Sequence, residues 1–140
     1  MQIGSESAQV ELACLEVRGQ IYGIDVQQVR EIVRAQTLTP LPRAPELVEG
    51  VIDLRGVIVP VVDLGRALGG APIADAAAEV LAVPGSSVQS PPALVAQSGY
   101  DAIRAVVRRP DLPPVLVLAL ESVLETVYRS KLREIPKEAA

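Results

Sequence analysis

The chain has 140 residues and a formal net charge of −4 at pH 7, so one domain is its simplest organisation and the negative balance argues against a nucleic-acid partner. It contains no His and one Cys, which excludes the usual nucleophile–base pairs and metal-ligand clusters. We therefore expect no enzyme, metal or cofactor, and a core built from aliphatic side chains, because Phe and Trp are absent.

The first third of the chain predicts a hairpin, a short helix and a connector. Val10–Val17 alternates in polarity and predicts a strand, with Ile21–Ile24 as its hairpin partner. Asp25 is placed to cap a short helix over Val26–Val33, where apolar residues recur at helical spacing. Three prolines in Leu38–Pro45 favour an extended connector.

The most apolar stretch of the chain predicts a second hairpin. Val51–Leu54 and Val57–Val62 are rich in β-branched residues, which favour strands. The two-residue break Arg55-Gly56 is of the kind that closes a hairpin. Asp63 then caps a short helix over Leu64–Leu68.

The second half is less regular and ends in an amphipathic helix. Glu79–Val83 predicts a short strand, and Ser86–Gly99 a loop. Ala102–Arg108 and Val115–Leu118 predict a strand pair joined by a Pro-rich turn. Leu120–Leu132 carries an apolar stripe and predicts a terminal helix.

Three polar residues invite a catalytic interpretation, which the composition disfavours. Asp53 and Asp63 resemble a carboxylate pair, but Asp63 is better explained as a helix cap. Cys14 lies in a strand and has no partner for a disulfide, so we expect a buried apolar role. The glycines lack the spacing and the following Lys of a phosphate-binding loop.

Three segments together carry a family resemblance. They are Gly23-Ile-Asp-Val-Gln-Gln-Val-Arg-Glu-Ile32, Pro42-Arg-Ala-Pro45 and Val48-Glu-Gly-Val-Ile-Asp-Leu-Arg-Gly-Val-Ile-Val-Pro-Val-Val-Asp-Leu64. In this order they resemble the CheW family of chemotaxis coupling proteins. The resemblance covers residues 8–70 and resumes more loosely over residues 79–125.

The resemblance implies a mainly β fold: a pair of five-stranded, SH3-like β-barrels. About twenty residues that would form two strands are missing between Leu64 and Ala74, so we predict a second barrel that lacks about two strands. We divide a single domain, 1–140, into a complete first half at 9–70, a reduced second half at 71–118 and a C-terminal helix at 119–134. The gap is closed by that helix, by re-pairing of strands or by a second copy of the chain.

The resemblance also implies a binding site. Val29, Glu31 and Ile32, expected on the first short helix, and Arg55, at the hairpin tip, match positions that line the family's receptor-binding groove. A Glu31–Arg55 ion pair across the groove would orient both groups. The structural alternative places Val29 and Ile32 in the core and leaves the two charges in solvent.

We therefore hypothesise a non-enzymatic adaptor in a bacterial chemosensory system. It would bind the cytoplasmic tip of a chemoreceptor, with weak or absent binding to the regulatory domain of the histidine kinase. One alternative is an ordinary coupling protein that binds both, and another is an unrelated β-barrel module that binds peptides. Another CheW-like protein or a second copy of the chain are further candidate partners. Met1–Ser7 has no signal-peptide pattern and no apolar run is long enough for a bilayer, so we expect a cytoplasmic protein.

Overall fold

The structure is a computed structural model that describes residues 8–70, 79–92 and 101–132. The chain divides into two compact units. The first contains Met1–Ile32 and Asp75–Ser122, and the second contains Val33–Ala74 and Val123–Ala140. Within the described ranges, no helix is long and apolar enough to cross a membrane.

The first unit contains a six-stranded sheet, with strands β1 (Gln9–Val17), β2 (Gln20–Asp25), β5 (Glu79–Pro84), β6 (Val88–Gln89), β7 (Ile103–Arg109) and β8 (Leu112–Leu118). Their spatial order is β5-β1-β2-β8-β7-β6. Neighbouring strands are antiparallel except β2 and β8, which pair in parallel with Ile21 opposite Val115.

Aliphatic side chains from four of these strands form the core of the first unit. Leu12 is 1% exposed, and Val107 and Val115 are completely buried. Cys14 belongs to the same cluster, which confirms its predicted buried role. Because this core lacks large aromatic rings, its filling depends on close packing of Val and Leu side chains.

The second unit contains the central hairpin, β3 (Val48–Leu54) and β4 (Val57–Val62), which pair only with each other among the named strands. β3 also forms a single bridge with the connector: Thr39 N donates to Val51 O at 2.9 Å, and Val51 N donates to Thr39 O at 2.8 Å. Gly50 makes this approach possible, because a Cβ there would lie 2.6 Å from the carbonyl oxygen of Thr39.

Two helices accompany the hairpin. The first, α1 (Leu64–Ala67), begins at Asp63, whose Oδ1 accepts a hydrogen bond from Arg66 N at 3.0 Å, as predicted for a cap. The second, α2 (Leu120–Arg129), is continuous across the division between the units. It begins where the sequence predicted but ends three residues earlier than Leu132.

The second half of α2 supplies the core of the hairpin unit. Val127 is 1% exposed and clusters with the buried Ala44 and Val48. The residues after the helix are fastened by the backbone: Glu46 N donates to Lys131 O at 2.6 Å. An isolated bridge between Pro45 and Leu132 lies beside this bond. The helix end and the segment before β3 therefore form one packed unit.

The mainly β prediction is confirmed, whereas the division of the chain into a complete and a reduced half stays a prediction. In the structure β1 pairs with β5, β2 pairs with β8, and β3–β4 belongs to the other unit. The terminal helix packs against the unit that contains this hairpin. Alternating polarity identifies a strand but not its neighbour, so the sequence did not predict these pairings. The predicted two-strand gap falls largely outside the described residues, because 71–78 are not among them.

The turn between the last two strands is shorter than predicted. The sequence assigned residues 109–114 to it, whereas β7 ends at Arg109 and β8 begins at Leu112. The Arg109 guanidinium donates to Pro113 O through Nε at 3.0 Å and Nη2 at 2.7 Å. The Arg109 side chain thus donates hydrogen bonds to β8 at a point where Pro113 and Pro114 have no N–H groups.

Replacing Val127 with Ala tests the packing of the helix. We expect the free energy of unfolding to fall by about 2 kcal/mol, because two buried methyl groups are lost and a cavity remains. Urea unfolding followed by circular dichroism measures the change. The matched control is Leu124→Ala on the same helix, where Leu124 is 45% exposed and the change should stay within about 0.5 kcal/mol. Equal losses in the two variants would contradict the assignment of Val127 to the core.

Candidate functional site

The helical element after β2 is shorter than the helix that the sequence predicted. Asp25 Oδ1 accepts a hydrogen bond from Gln27 N at 2.9 Å, so the predicted cap is present. The capped element is a single 3-10 turn, Val26–Gln28, and Val29 already has an extended backbone with φ −102° and ψ 125°. The predicted helix over Val26–Val33 is therefore wrong. A single helical turn forms few hydrogen bonds compared with the number of backbone dihedrals that it fixes, so a short helix is unfavourable. In addition, β-branched residues favour extended backbone.

The predicted receptor-binding residues in this segment lie at the surface. Val29 is half-buried and Glu31 is exposed. Ile32 is 55% exposed, and the next residue, Val33, is 39% exposed. The alternative that placed both Val29 and Ile32 in the core is therefore wrong. The extended chain presents aliphatic side chains beside a carboxylate, which is the composition predicted for the groove.

Arg55 occupies the first position of the hairpin turn. Its φ is 52° and that of Gly56 is 87°, as in a type I′ turn, whose twist matches the flanking strands. Asp53 Oδ1 accepts a hydrogen bond from Gly56 N at 2.8 Å and so closes the turn. This bond explains Asp53 without any catalytic role. The turn leaves Arg55 exposed at the tip.

The four predicted site residues fall into two groups. Val29, Glu31 and Ile32 are consecutive or nearly so in the first unit, whereas Arg55 belongs to the second. Both Glu31 and Arg55 take part in polar interactions. The ion pair between them stays a prediction.

Exposed apolar side chains also follow the hairpin turn. Val57 and Ile58, the first two residues of β4, are each 61% exposed. β4 carries no charged residue. Pro60 in its middle pairs in register with Val51 and has no N–H to offer to a further strand, a feature that limits unwanted pairing at a sheet edge.

The remaining reactive groups have structural explanations. Burial raises the pKa of the Cys14 thiol, which Glu79 raises further and Arg109 partly opposes, so the reactive thiolate is disfavoured. Asp63 caps α1. Across the described residues, no three Cys, Asp or Glu side chains are grouped closely enough to hold a metal ion.

Sequence reasoning missed an open groove in the second unit, with a volume of about 880 Å³. It lies where the connector, the segment before β3 and the end of α2 approach one another. Acidic, basic and apolar side chains line it: Leu38, Pro40, Glu46, Glu49, Arg66, Lys131 and Leu132. Its lining residues come from distant parts of the chain, so no local pattern could have predicted it.

Comparison with known proteins finds a family match in the part of the chain that contains the central hairpin and the segments on either side of it. The family model described as the CheW-like domain matches residues 11–83, which include α1, the central hairpin and most of the β1–β2 hairpin. The chain belongs to this family.

Individual CheW-family proteins match to different extents. Chemotaxis protein CheW of Treponema pallidum is 33% identical, over 72% of this chain and 74% of that protein. CheW of Thermotoga maritima is 39% identical over 59 residues, which is 42% of this chain and 39% of that protein. The fold resembles that of the scaffolding protein TtCheW from Thermoanaerobacter tengcongensis, with a TM-score of 0.67 and 22% identity, over 83% of this chain and 92% of that one.

The match to the Treponema pallidum protein contains a length difference. Its alignment extends over 126 positions, yet it includes only 72% of the 140 residues of this chain. The CheW relative therefore has residues at positions where this chain has none.

Replacing Arg55 with Asn tests the conformation of the turn. We expect the free energy of unfolding to rise by about 0.5–1 kcal/mol, because Asn tolerates positive φ better than Arg and Asn-Gly is a preferred type I′ pair. Thermal and urea unfolding measure the change. Arg104→Asn, at an exposed position within β7, is the control and should give no gain. Equal effects of the two substitutions would contradict the turn assignment.

Proposed function

We propose that this protein is a non-enzymatic adaptor in a chemosensory signalling system and binds the cytoplasmic tip of a chemoreceptor. The observation that carries the proposal is the exposure of Ile32, which is 55%, in a segment that matches the CheW-like family. An exposed aliphatic side chain with a carboxylate beside it would supply the apolar contact and the charged rim that a protein-binding surface combines. A cytoplasmic location follows from this role.

The chemistry of the segment suits a helical partner. A receptor tip is a helical hairpin, and helices dock through aliphatic side chains into apolar grooves rimmed by charges. Val29 and Ile32 would supply the apolar contact, and Glu31 the acidic rim. Arg55 would add a basic group from the hairpin tip, with a role in specificity, since an exposed ion pair contributes only about 0–1 kcal/mol.

We further propose that binding to the histidine kinase is weak or absent. Two observations support this. Among the described residues, β3 and β4 form a two-stranded sheet that packs with the end of α2, whereas the family resemblance implies a barrel. In addition, the alignment with the Treponema pallidum CheW contains positions at which this chain has no residue. The family resemblance implies a kinase contact formed by surfaces of both barrels, and a reduced barrel would lose part of that surface.

The second candidate is an ordinary coupling protein that binds receptor and kinase. It is favoured by the family match, which runs through residues 11–83 and includes the whole of the central hairpin. The third hypothesis, an unrelated peptide-binding barrel, is wrong because the chain belongs to the CheW-like family.

Substitution of Ile32 with Asp tests the receptor site. We expect binding to an immobilised cognate receptor tip to weaken at least about tenfold, because a charge replaces a buried apolar contact in the complex. Val80→Asp is the matched control: Val80 is 52% exposed on β5 of the same unit, and its substitution should leave binding unchanged. Equal loss in both variants, or no loss in Ile32→Asp, would contradict the site.

Two substitutions separate the contribution of Arg55 to receptor binding from its effect on stability. Arg55→Asn relieves the turn and Arg55→Glu reverses the charge, and we expect both to weaken receptor binding, the second more strongly. Arg104→Glu controls for the change in net charge. The same proteins are then tested against the isolated kinase regulatory domain. Unmodified chain that binds the kinase as tightly as a full-length CheW would refute the accessory role and leave the ordinary coupling protein.

A further inference from the structure

The charge that accompanies Ile32 depends on the backbone conformation of its segment. Val29 is extended, with φ −102° and ψ 125°, and residues 29–38 contain no helix, turn or bend. Successive side chains of an extended chain point to opposite sides, whereas side chains two residues apart share a side. Arg30 therefore lies on the same side as Ile32. In the helix that the sequence predicted, these two side chains would have been about 200° apart.

The other side of the segment makes its contacts within the chain. Val29 is half-buried, although the residues that follow it are exposed. Glu31, which shares this side with Val29, takes part in a polar interaction. Both observations indicate that this side of the segment is turned towards the protein itself.

The side that carries Arg30 and Ile32 is open to solvent. Ile32 is 55% exposed, and Arg30 is exposed as well. Within the described part of the chain, the Arg30 side chain forms no hydrogen bond or ion pair. Its guanidinium therefore keeps its donors for another molecule. An aliphatic side chain and an unpaired cation thus stand side by side on the surface.

We propose that Arg30 determines specificity in the receptor-binding segment, by pairing with a carboxylate that lies beside the apolar group contacted by Ile32. The inference rests on the proposed function and adds the sign of the charge that the receptor tip presents at this point. A guanidinium binds a carboxylate through two parallel hydrogen bonds. A basic residue at the same place would be repelled, so this one position distinguishes receptors.

The spacing of the two side chains matches a helical partner. Residues two apart in an extended chain are separated by about 7 Å. Side chains three or four residues apart on a helix are separated by about 5–6 Å. The receptor tip recognised by this chain should therefore carry an aliphatic residue and an acidic residue three or four positions apart.

Matched neutralisations of two adjacent charges test the inference. Binding of the full chain to an immobilised receptor tip is measured by surface plasmon resonance at low and at high salt. Arg30→Gln should weaken binding about three- to fivefold at low salt, mainly through the association rate, and less at high salt. Glu31→Gln should have the smaller effect. A larger effect of Glu31→Gln, or a loss in Arg30→Gln that is independent of salt, would overturn the inference.

Two further variants control for charge and for folding. Arg104→Gln removes an exposed arginine from β7 of the same unit and should leave binding unchanged. Arg30→Lys keeps the charge without the two parallel bonds and should recover part of the binding. The melting temperature of Arg30→Gln should equal that of the unmodified chain, because Arg30 has no partner among the described residues.

Exchange of charges identifies the carboxylate on the receptor. Each exposed Asp or Glu of the receptor tip is replaced by Lys in turn, and every variant is tested against the unmodified chain and against Arg30→Glu. Arg30→Glu should bind the unmodified tip about tenfold more weakly at low salt and should bind one of the Lys variants better than the unmodified tip. If no Lys variant restores binding, the proposed pairing is wrong.

The outcomes separate this inference from the function on which it rests. If Ile32→Asp loses binding while Arg30→Gln binds as tightly as the unmodified chain, the receptor site stands and the role of Arg30 is wrong. If the unmodified chain does not bind the receptor tip, the proposed function fails and the inference fails with it.

Discussion

The second unit depends on the packing of Val127 against Ala44 and Val48. A two-stranded hairpin has little independent stability in water, because it cannot bury one face by itself. The second half of α2 provides the missing cover, and the backbone hydrogen bond from Glu46 to Lys131 holds the chain beyond the helix in place. The C-terminal segment is thus part of the hairpin unit, although β3 and β4 precede it by many residues.

The first unit contains the predicted receptor-binding segment, which follows directly from its sheet. The sheet contains β1 and β2 together with β7 and β8, and the parallel pairing of β2 with β8 fixes the place at which β2 ends. The Asp25 cap then turns the chain into extended backbone. Ile32 lies in the irregular segment that follows, and its side chain is exposed, as a binding contact requires.

Local features were predictable from sequence, and long-range partners were not. The caps at Asp25 and Asp63 and the turn at Arg55-Gly56 each depend on a few adjacent residues, and the structure contains all three. The pairing of β1 with β5 depends on distant strands, and alternating polarity does not specify which strands meet. The helix predicted over Val26–Val33 was wrong because apolar residues at helical spacing do not form a short helix unless tertiary packing of the apolar face offsets the cost of nucleation. The family resemblance supplied the proposed site residues, whereas the exposure of Ile32 required the structure.

Native-state amide hydrogen exchange, followed residue by residue, tests the central claim that the hairpin and the end of α2 form one cooperative unit. The amides of Val51, Glu46 and Val127 should exchange through a single opening. Its free energy should be lower than that of Val107 and Val115 in the six-stranded sheet, where the core is more extensive. Exchange of Val127 at a free energy clearly different from that of Val51, with the helix end opening while the hairpin stays protected, would contradict the account.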